Sequence, residues 1–136
     1  MRTKETILEK QRHRFYEYEL PGGWKVYAGK SDVDNDFLSI KMARPNDYWF
    51  HVRGMPGSHV ILRIKPNGEP DRKTLKQAAA IAAFHSKARQ GGIVAVSCTR
   101  ARYVTKYRDA MPGSVQIRKE SVLKVRPGLF SHKKGD

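Results

Sequence analysis

The stretch NDYWFHVRGMPGSHVIL, residues 46–62, decides how this chain folds. Tyr48 to Val52 and Ser58 to Ile64 are rich in aromatic and β-branched residues, and Gly54-Met55-Pro56-Gly57 between them carries the residue types of a tight loop. Two strands joined by that loop are expected. Side chains alternate across a strand, so Tyr48, Phe50 and Val52 share one face and Asp47, Trp49, His51 and Arg53 the other. An indole, an imidazole and a guanidinium on one face make a nucleotide platform, because rings and guanidinium planes stack on unpaired bases. Pro56-Gly57-Ser58-His59 offers backbone N–H groups and a hydroxyl to a phosphate, the glycine lacking the Cβ that blocks close approach. The competing assignment puts Trp49 in the core and makes His51 and His59 internally hydrogen-bonded histidines.

Outward on the N-terminal side, Phe15 to Leu20 and Trp24 to Ala28 alternate around Pro21-Gly22-Gly23, the pattern of a hairpin. Asn35 as N-cap, Leu38 and Met42 four residues apart, and Pro45 beyond them predict a short helix over 35–43. On the C-terminal side, Thr74 and Gln77 form a capping box. Leu75, Ala78, Ala79 and Ala82 then line one face, and Gly91-Gly92 ends a long helix over about 74–90. Ile93 to Cys98, Tyr103 to Thr105, Ser114 to Ile117 and Val122 to Val125 read as further short strands, with Met111-Pro112-Gly113 as a turn. The expected fold class is α+β: a mainly antiparallel sheet with an N-terminal hairpin and an Ala-rich helix packed on it. One domain over 14–128 is expected between a basic extension, 1–13, and a basic tail, 129–136.

Charge narrows the partner. Twenty-seven Lys and Arg stand against thirteen Asp and Glu in 136 residues, a net charge of +14 that exceeds what solubility requires. Residues 24–53 nearly cancel, whereas Arg100, Arg102, Lys106 and Arg108 form a run without an acid, and residues 118–134 carry six cations against Glu120. A polyanion such as RNA fits this distribution, with Arg100, Arg102, Tyr103, Lys106 and Arg108 as contacts beside the platform; a merely solvated basic face is the alternative. The single cysteine, Cys98, allows no internal disulfide and no cysteine-based zinc cluster. Dispersed histidines offer no closed ligand set, so neither a metal nor another cofactor is expected. The most apolar run, Ala78 to Phe84, is far too short to span a bilayer, and no apolar segment of a leader follows Met1, so a cytoplasmic protein is expected.

At these residues the chain resembles the RNA-binding R domain of the NFACT proteins, which act in ribosome-associated quality control. The likeness runs from about Tyr16 to Pro127. It includes Tyr27-Ala28-Gly29-Lys30, Asn35-Asp36 followed by Leu38, Asn46 to Val52, Pro56 to Val60, Thr74-Leu75, Ser86-Lys87-Ala88-Arg89, Tyr103-Val104 and Pro112-Gly113, in the family's order. The resemblance implies an α+β domain that, within full-length members, works on the large ribosomal subunit with transfer RNA. It implies RNA binding with Asp47, His51, Gly57, Ser58 and His59 as the polar site, and Lys87 stands in another matched motif. The family's tailing activity belongs to an N-terminal domain that 136 residues leave no room for, so no catalysis is expected.

Two other function classes remain open on the sequence. Asp47, His51 and His59 have the donor types of a metal-dependent hydrolase, although no acidic pair for a two-metal site accompanies them. A basic strip is also what a protein-docking module on the translation apparatus would present to an acidic partner. If His51 and His59 meet phosphate, RNA binding strengthens as pH falls from about 8 to about 6.

Overall fold

The computed structural model describes residues 14–130. The chain forms β1 (Phe15–Leu20), β2 (Trp24–Gly29), a helix α1 (Asp32–Asp36) that widens into a π-helical segment (Phe37–Met42), β3 (Tyr48–Val52) and β4 (Val60–Leu62). Then come α2 (Arg72–Phe84), β5 (Val94–Arg100), a 3-10 turn (Ala101–Tyr103), β6 (Val104–Thr105), β7 (Gln116–Ile117) and β8 (Ser121–Val125). Six strands make one antiparallel sheet in the order β1-β2-β4-β3-β5-β8, and β6 pairs with β7 separately. The α+β class expected from the sequence is the class observed.

Both faces of the sheet are covered. Phe50, Val52, Val60, Leu62, Val96 and Leu123 pack with Ile81 and the alanines of α2, where residues 78–83 are all buried, because small side chains let the helix lie close to the strands. On the opposite face Trp49 and Ile61 pack with Phe37, Leu38, Met42 and Val104, and with Ile117 of the β6–β7 hairpin. The alternation assigned to β3 therefore holds. What stands on its second face is core, because the π-helical segment and the hairpin lie over it. Burial on both sides also explains why β4 reads Val60-Ile61-Leu62 without a polar residue.

Two helix boundaries differ from those expected. The first helix starts at Asp32 and not at Asn35: Ser31 is its N-cap, accepting from the Asp34 N–H at 3.1 Å, and Asp32 and Asp34 complement the helix N-terminus. Asn35 is instead buried inside α1, its side-chain oxygen accepting the His59 N–H at 3.1 Å. The long helix is capped by Asp71, which accepts from the Thr74 N–H at 2.8 Å, and it stops at Phe84 instead of reaching residue 90. Ser86 causes the stop. Its hydroxyl donates to the Ala83 carbonyl at 2.7 Å and accepts from the Ala88 N–H at 3.0 Å, drawing the backbone out of the helix. Ser86 then makes an antiparallel bridge with Gly57.

Candidate nucleic-acid interface

The Gly57–Ser86 bridge brings the β3–β4 loop against the end of α2. Ser58 N–H donates to the His85 carbonyl at 2.9 Å and Lys87 N–H to the Pro56 carbonyl at 3.3 Å. A Cβ on Gly57 would lie 2.8 Å from Ser86 Cβ, so glycine is required here by the chain's own packing. The Ser58 hydroxyl donates to the Gly29 carbonyl at 2.6 Å. These groups hold the loop in place, and the Ser58 and His59 N–H groups expected to face a phosphate are instead bonded to the His85 carbonyl and the Asn35 side chain. The same contacts shape an open cleft of about 350 Å³, lined among others by Tyr16, Lys30, Ser58, His85, Lys87 and Arg89. A second compartment of about 220 Å³ extends it past Ser31, Asp32 and Asn35.

The cleft is cationic and aromatic. Lys30 Nζ sits 4.6 Å from the centroid of the Tyr16 ring, and the Arg89 guanidinium sits 3.7 Å from that of Phe84. His85 stacks on Tyr16 at 4.2 Å and lies with Nε2 2.5 Å from the Tyr18 hydroxyl. Burial, and next the Arg89 charge, push the His85 imidazole down to about 4, so it is neutral at pH 7. Burial also raises Tyr18, keeping its proton in place. Among the described residues no carboxylate forms an ion pair with Lys30, Lys87 or Arg89.

The sequence-predicted residues fall into three groups. Gly57, Ser58 and Lys87 stand in the cleft, with the half-buried His51 behind it against the Gly57 backbone. Asp47, Trp49 and His59 are interior, so the expected platform loses its indole to a buried polar layer, while His51 is half-buried and Arg53 exposed. Asp47 accepts from the N–H groups of Arg44 at 2.8 Å and Ile64 at 2.9 Å and pairs with Arg63 at 3.4 Å. Trp49 Nε1 donates to Ser39 Oγ at 2.9 Å, and Ser39 Oγ lies 2.8 Å from His59 Nδ1. His59 Nε2 lies 3.2 Å from the Gly113 carbonyl, which can only accept, so the proton sits on Nε2 and the Ser39 hydroxyl donates to Nδ1. The Trp49 indole, the Ser39 hydroxyl and both ring nitrogens of His59 are thus all partnered within the layer. With Asp47 committed to Arg63 and both His59 nitrogens occupied, the three donors of the hydrolase reading are not assembled.

The third group is Arg53, from the expected platform, together with the basic run. Arg53 is exposed and pairs with Glu120 at 3.9 Å. Arg100 is less free than the acid-free sequence around it suggests: it lies over the Tyr48 ring and pairs with Glu69, whose carboxyl that hydrogen bond holds below its usual range. Lys106 pairs with Asp36 at 3.2 Å and donates to the Met111 and Ser114 carbonyls, pinning the β6–β7 hairpin, with Arg108 exposed on its tip. Arg102 and Tyr103 follow β5 at the other end of the sheet. Tyr16, Lys30, His85 and Arg89 were not singled out as contacts by the sequence reading, although Lys30 and Arg89 stand in motifs quoted for the family likeness.

Comparison with known proteins shows the family of the chain. The family described as the NFACT protein RNA binding domain matches residues 14–119. The chain belongs to that family. It is 37% identical over 110 residues to the Rqc2 homolog RqcH of Bacillus subtilis (strain 168), covering 81% of this chain and 19% of the relative. It is 35% identical over 126 residues to the Rqc2 homolog RqcH of Streptococcus suis (strain 05ZYH33), covering 93% of this chain and 22% of the relative. The chain thus spans about a fifth of the length of these relatives. Among solved structures it is similar to the C-terminal part of the fibronectin/fibrinogen-binding protein from Streptococcus suis. The TM-score is 0.78 at 30% identity, over 92% of this chain and 55% of that one. No helix among the described residues is long and apolar enough to cross a membrane.

The histidines carry a pH prediction opposite in kind to the one their sequence positions suggested. Burial lowers His51, and burial followed by the His51 charge lowers His59 to about 4. A base depressed in the folded state is protonated first in the unfolded chain. Its contribution to stability is therefore complete above about pH 6.5 and is lost as pH falls through about 4. The melting temperature is expected to fall steadily from pH 7 to pH 4.5, and the fall is expected to be smaller in His59→Gln. RNA affinity between pH 8 and pH 6 should show no strengthening that depends on His51 or His59. Melts and RNA titrations across this range check both; a His59-dependent gain in affinity at pH 6 would return that residue to the contact surface.

Proposed function

We propose that this domain binds RNA through its phosphate backbone, with the cleft between Lys30, the β3–β4 loop and the end of α2 as the principal contact. One observation carries the reading: two segments distant in sequence, joined by the β3–β4 loop between them, place Lys30, Lys87 and Arg89 around one opening, with no carboxylate paired to them among the described residues. The end of α2 presents its carbonyl pole here, which repels anions, and the Ser58 and His59 N–H groups are committed internally, so attraction rests on the side-chain cations. Tyr16 is already covered by His85 and Lys30. The cleft therefore holds backbone in preference to stacking a base.

Family membership supports a role in ribosome-associated quality control, with ribosomal or transfer RNA on the large ribosomal subunit as the target, by binding and without chemistry of its own. Replacing Lys30, Lys87 and Arg89 together with alanine is expected to weaken RNA binding and to flatten the log–log salt dependence by about 2, since each lost phosphate contact removes about 0.7 to 0.9. The melting temperature should change little, because exposed cations contribute little to stability. Titration of transfer RNA at several salt concentrations reads this out, and an unchanged slope would move the principal contact elsewhere. Sequencing RNA crosslinked to the protein in cells tests the target: enrichment of ribosomal or transfer RNA supports the assignment, and enrichment of messenger RNA overturns it.

A further inference from the structure

At the opposite end of the sheet a second group of cations is built around Tyr103. Arg102, Arg118 and Lys119 place their charges 5.9, 5.4 and 5.4 Å from the centroid of this half-buried ring. Among the described residues no carboxylate pairs with any of the three. Three like charges gathered on one ring repel one another, and the ring quadrupole offsets this only in part.

The arrangement is held by the backbone. Arg118 N–H donates to the Tyr103 carbonyl at 3.0 Å, and Arg102 N–H to the Pro45 carbonyl at 3.1 Å. Thr99, 4% exposed, donates its hydroxyl to the Arg118 carbonyl at 2.7 Å. Lys119 has φ 54, the only positive φ on a non-glycine residue among the described residues. A lysine in that region costs energy that a glycine would not, and it persists here because the buried Thr99 fixes the turn. The turn between β7 and β8 thus keeps a strained residue and uses it to bring a third cation to Tyr103.

We propose that the Arg102–Tyr103–Arg118–Lys119 cluster is a second RNA-backbone site that binds a phosphodiester remote from the cleft. This rests on the reading that the domain binds RNA. β3 separates the two sites: Tyr48 pairs with Arg100, which leads into the cluster, while the loop leaving Val52 enters the cleft. Five residues of strand span about 13 to 17 Å, so one phosphate cannot touch both sites and a chain of several nucleotides is needed to engage them together. The domain then prefers structured or longer RNA to very short oligonucleotides for reasons of reach and not of base identity.

The test compares RNA binding by the wild-type chain, by the Arg102→Ala/Arg118→Ala/Lys119→Ala variant and by Lys119→Gly, using a trinucleotide and transfer RNA, with thermal melts alongside. The triple variant is expected to lose about tenfold in affinity for transfer RNA and about 2 in the salt slope, while its weak trinucleotide binding in the cleft is unchanged. Lys119→Gly should melt at or above the wild-type temperature, since glycine removes the strain, and still bind transfer RNA more weakly. Wild-type affinity and slope in the triple variant overturn the second site; if the Lys30, Lys87 and Arg89 replacements still weaken binding, the cleft reading stands. Absence of RNA binding by the wild-type chain overturns both. Loss in the triple variant of binding to a poly-glutamate peptide but not to RNA also overturns the proposal, in favour of an acidic protein partner.

Discussion

Asp47→Ala is expected to destabilise the domain by about 3 to 5 kcal/mol, the cost of removing one partner from a buried charge pair. Asp47 is 1% exposed, and its carboxylate serves the Arg44 and Ile64 N–H groups as well as Arg63. Alanine leaves these donors without their acceptor and Arg63 without this counter-charge. The melting temperature should drop by roughly 10 to 20 °C in a domain of this size. Asp47→Asn keeps one acceptor oxygen and should recover part of the loss. Urea denaturation and calorimetry read both variants; an alanine variant that melts within a few degrees of wild type but binds RNA poorly would place Asp47 at the ligand after all.

Phe50→Ala should cost a similar amount, about 3 to 5 kcal/mol, for a different reason. Phe50 is fully buried at the centre of β3, where it packs under α2 beside Val52, Val60 and Val96. Truncation loses the transfer free energy of the ring and leaves a cavity that alanines already close to the sheet have little side chain to fill. A shift of the urea midpoint at unchanged slope is the expected signature. A change within 1 kcal/mol would show that α2 collapses into the space.

Strand faces were legible in the sequence because a period of two is local: Phe50 and Trp49 fall on opposite faces in the structure as their spacing requires. What covers the second face was not legible, and this left open on the sequence whether Trp49 and His59 were contacts or core; both are buried. The π-helical turn at Phe37 to Met42 and the hairpin over 104–117 are joined to the sheet by contacts such as His59 with Gly113, 54 residues apart, which no local pattern encodes. The cationic run misled in the same way, since Glu69 and Asp36, the partners of Arg100 and Lys106, lie 31 and 70 residues away in the chain. Half of the cleft could have been found: the hairpin register pairs Tyr16 with Ala28, setting Tyr16 near Gly29 and Lys30. Its junction with Ser86 to Arg89 depends on where α2 stops, and a serine hydroxyl decided that against the helical pattern around it.

The glycine–serine bridge that closes the cleft has a thermodynamic meaning. Its three walls come from residues 16 to 30, 56 to 58 and 84 to 89, and none of them stands in position without the sheet and α2 that join them. The binding surface is therefore not a detachable patch: it exists only while the sheet and α2 are assembled together. An anion held there is linked by mass action to the entire folding equilibrium, and at a hundredfold excess over its dissociation constant it favours the native state by about 2.7 kcal/mol. A basic domain of this kind is at its most robust when its target is present.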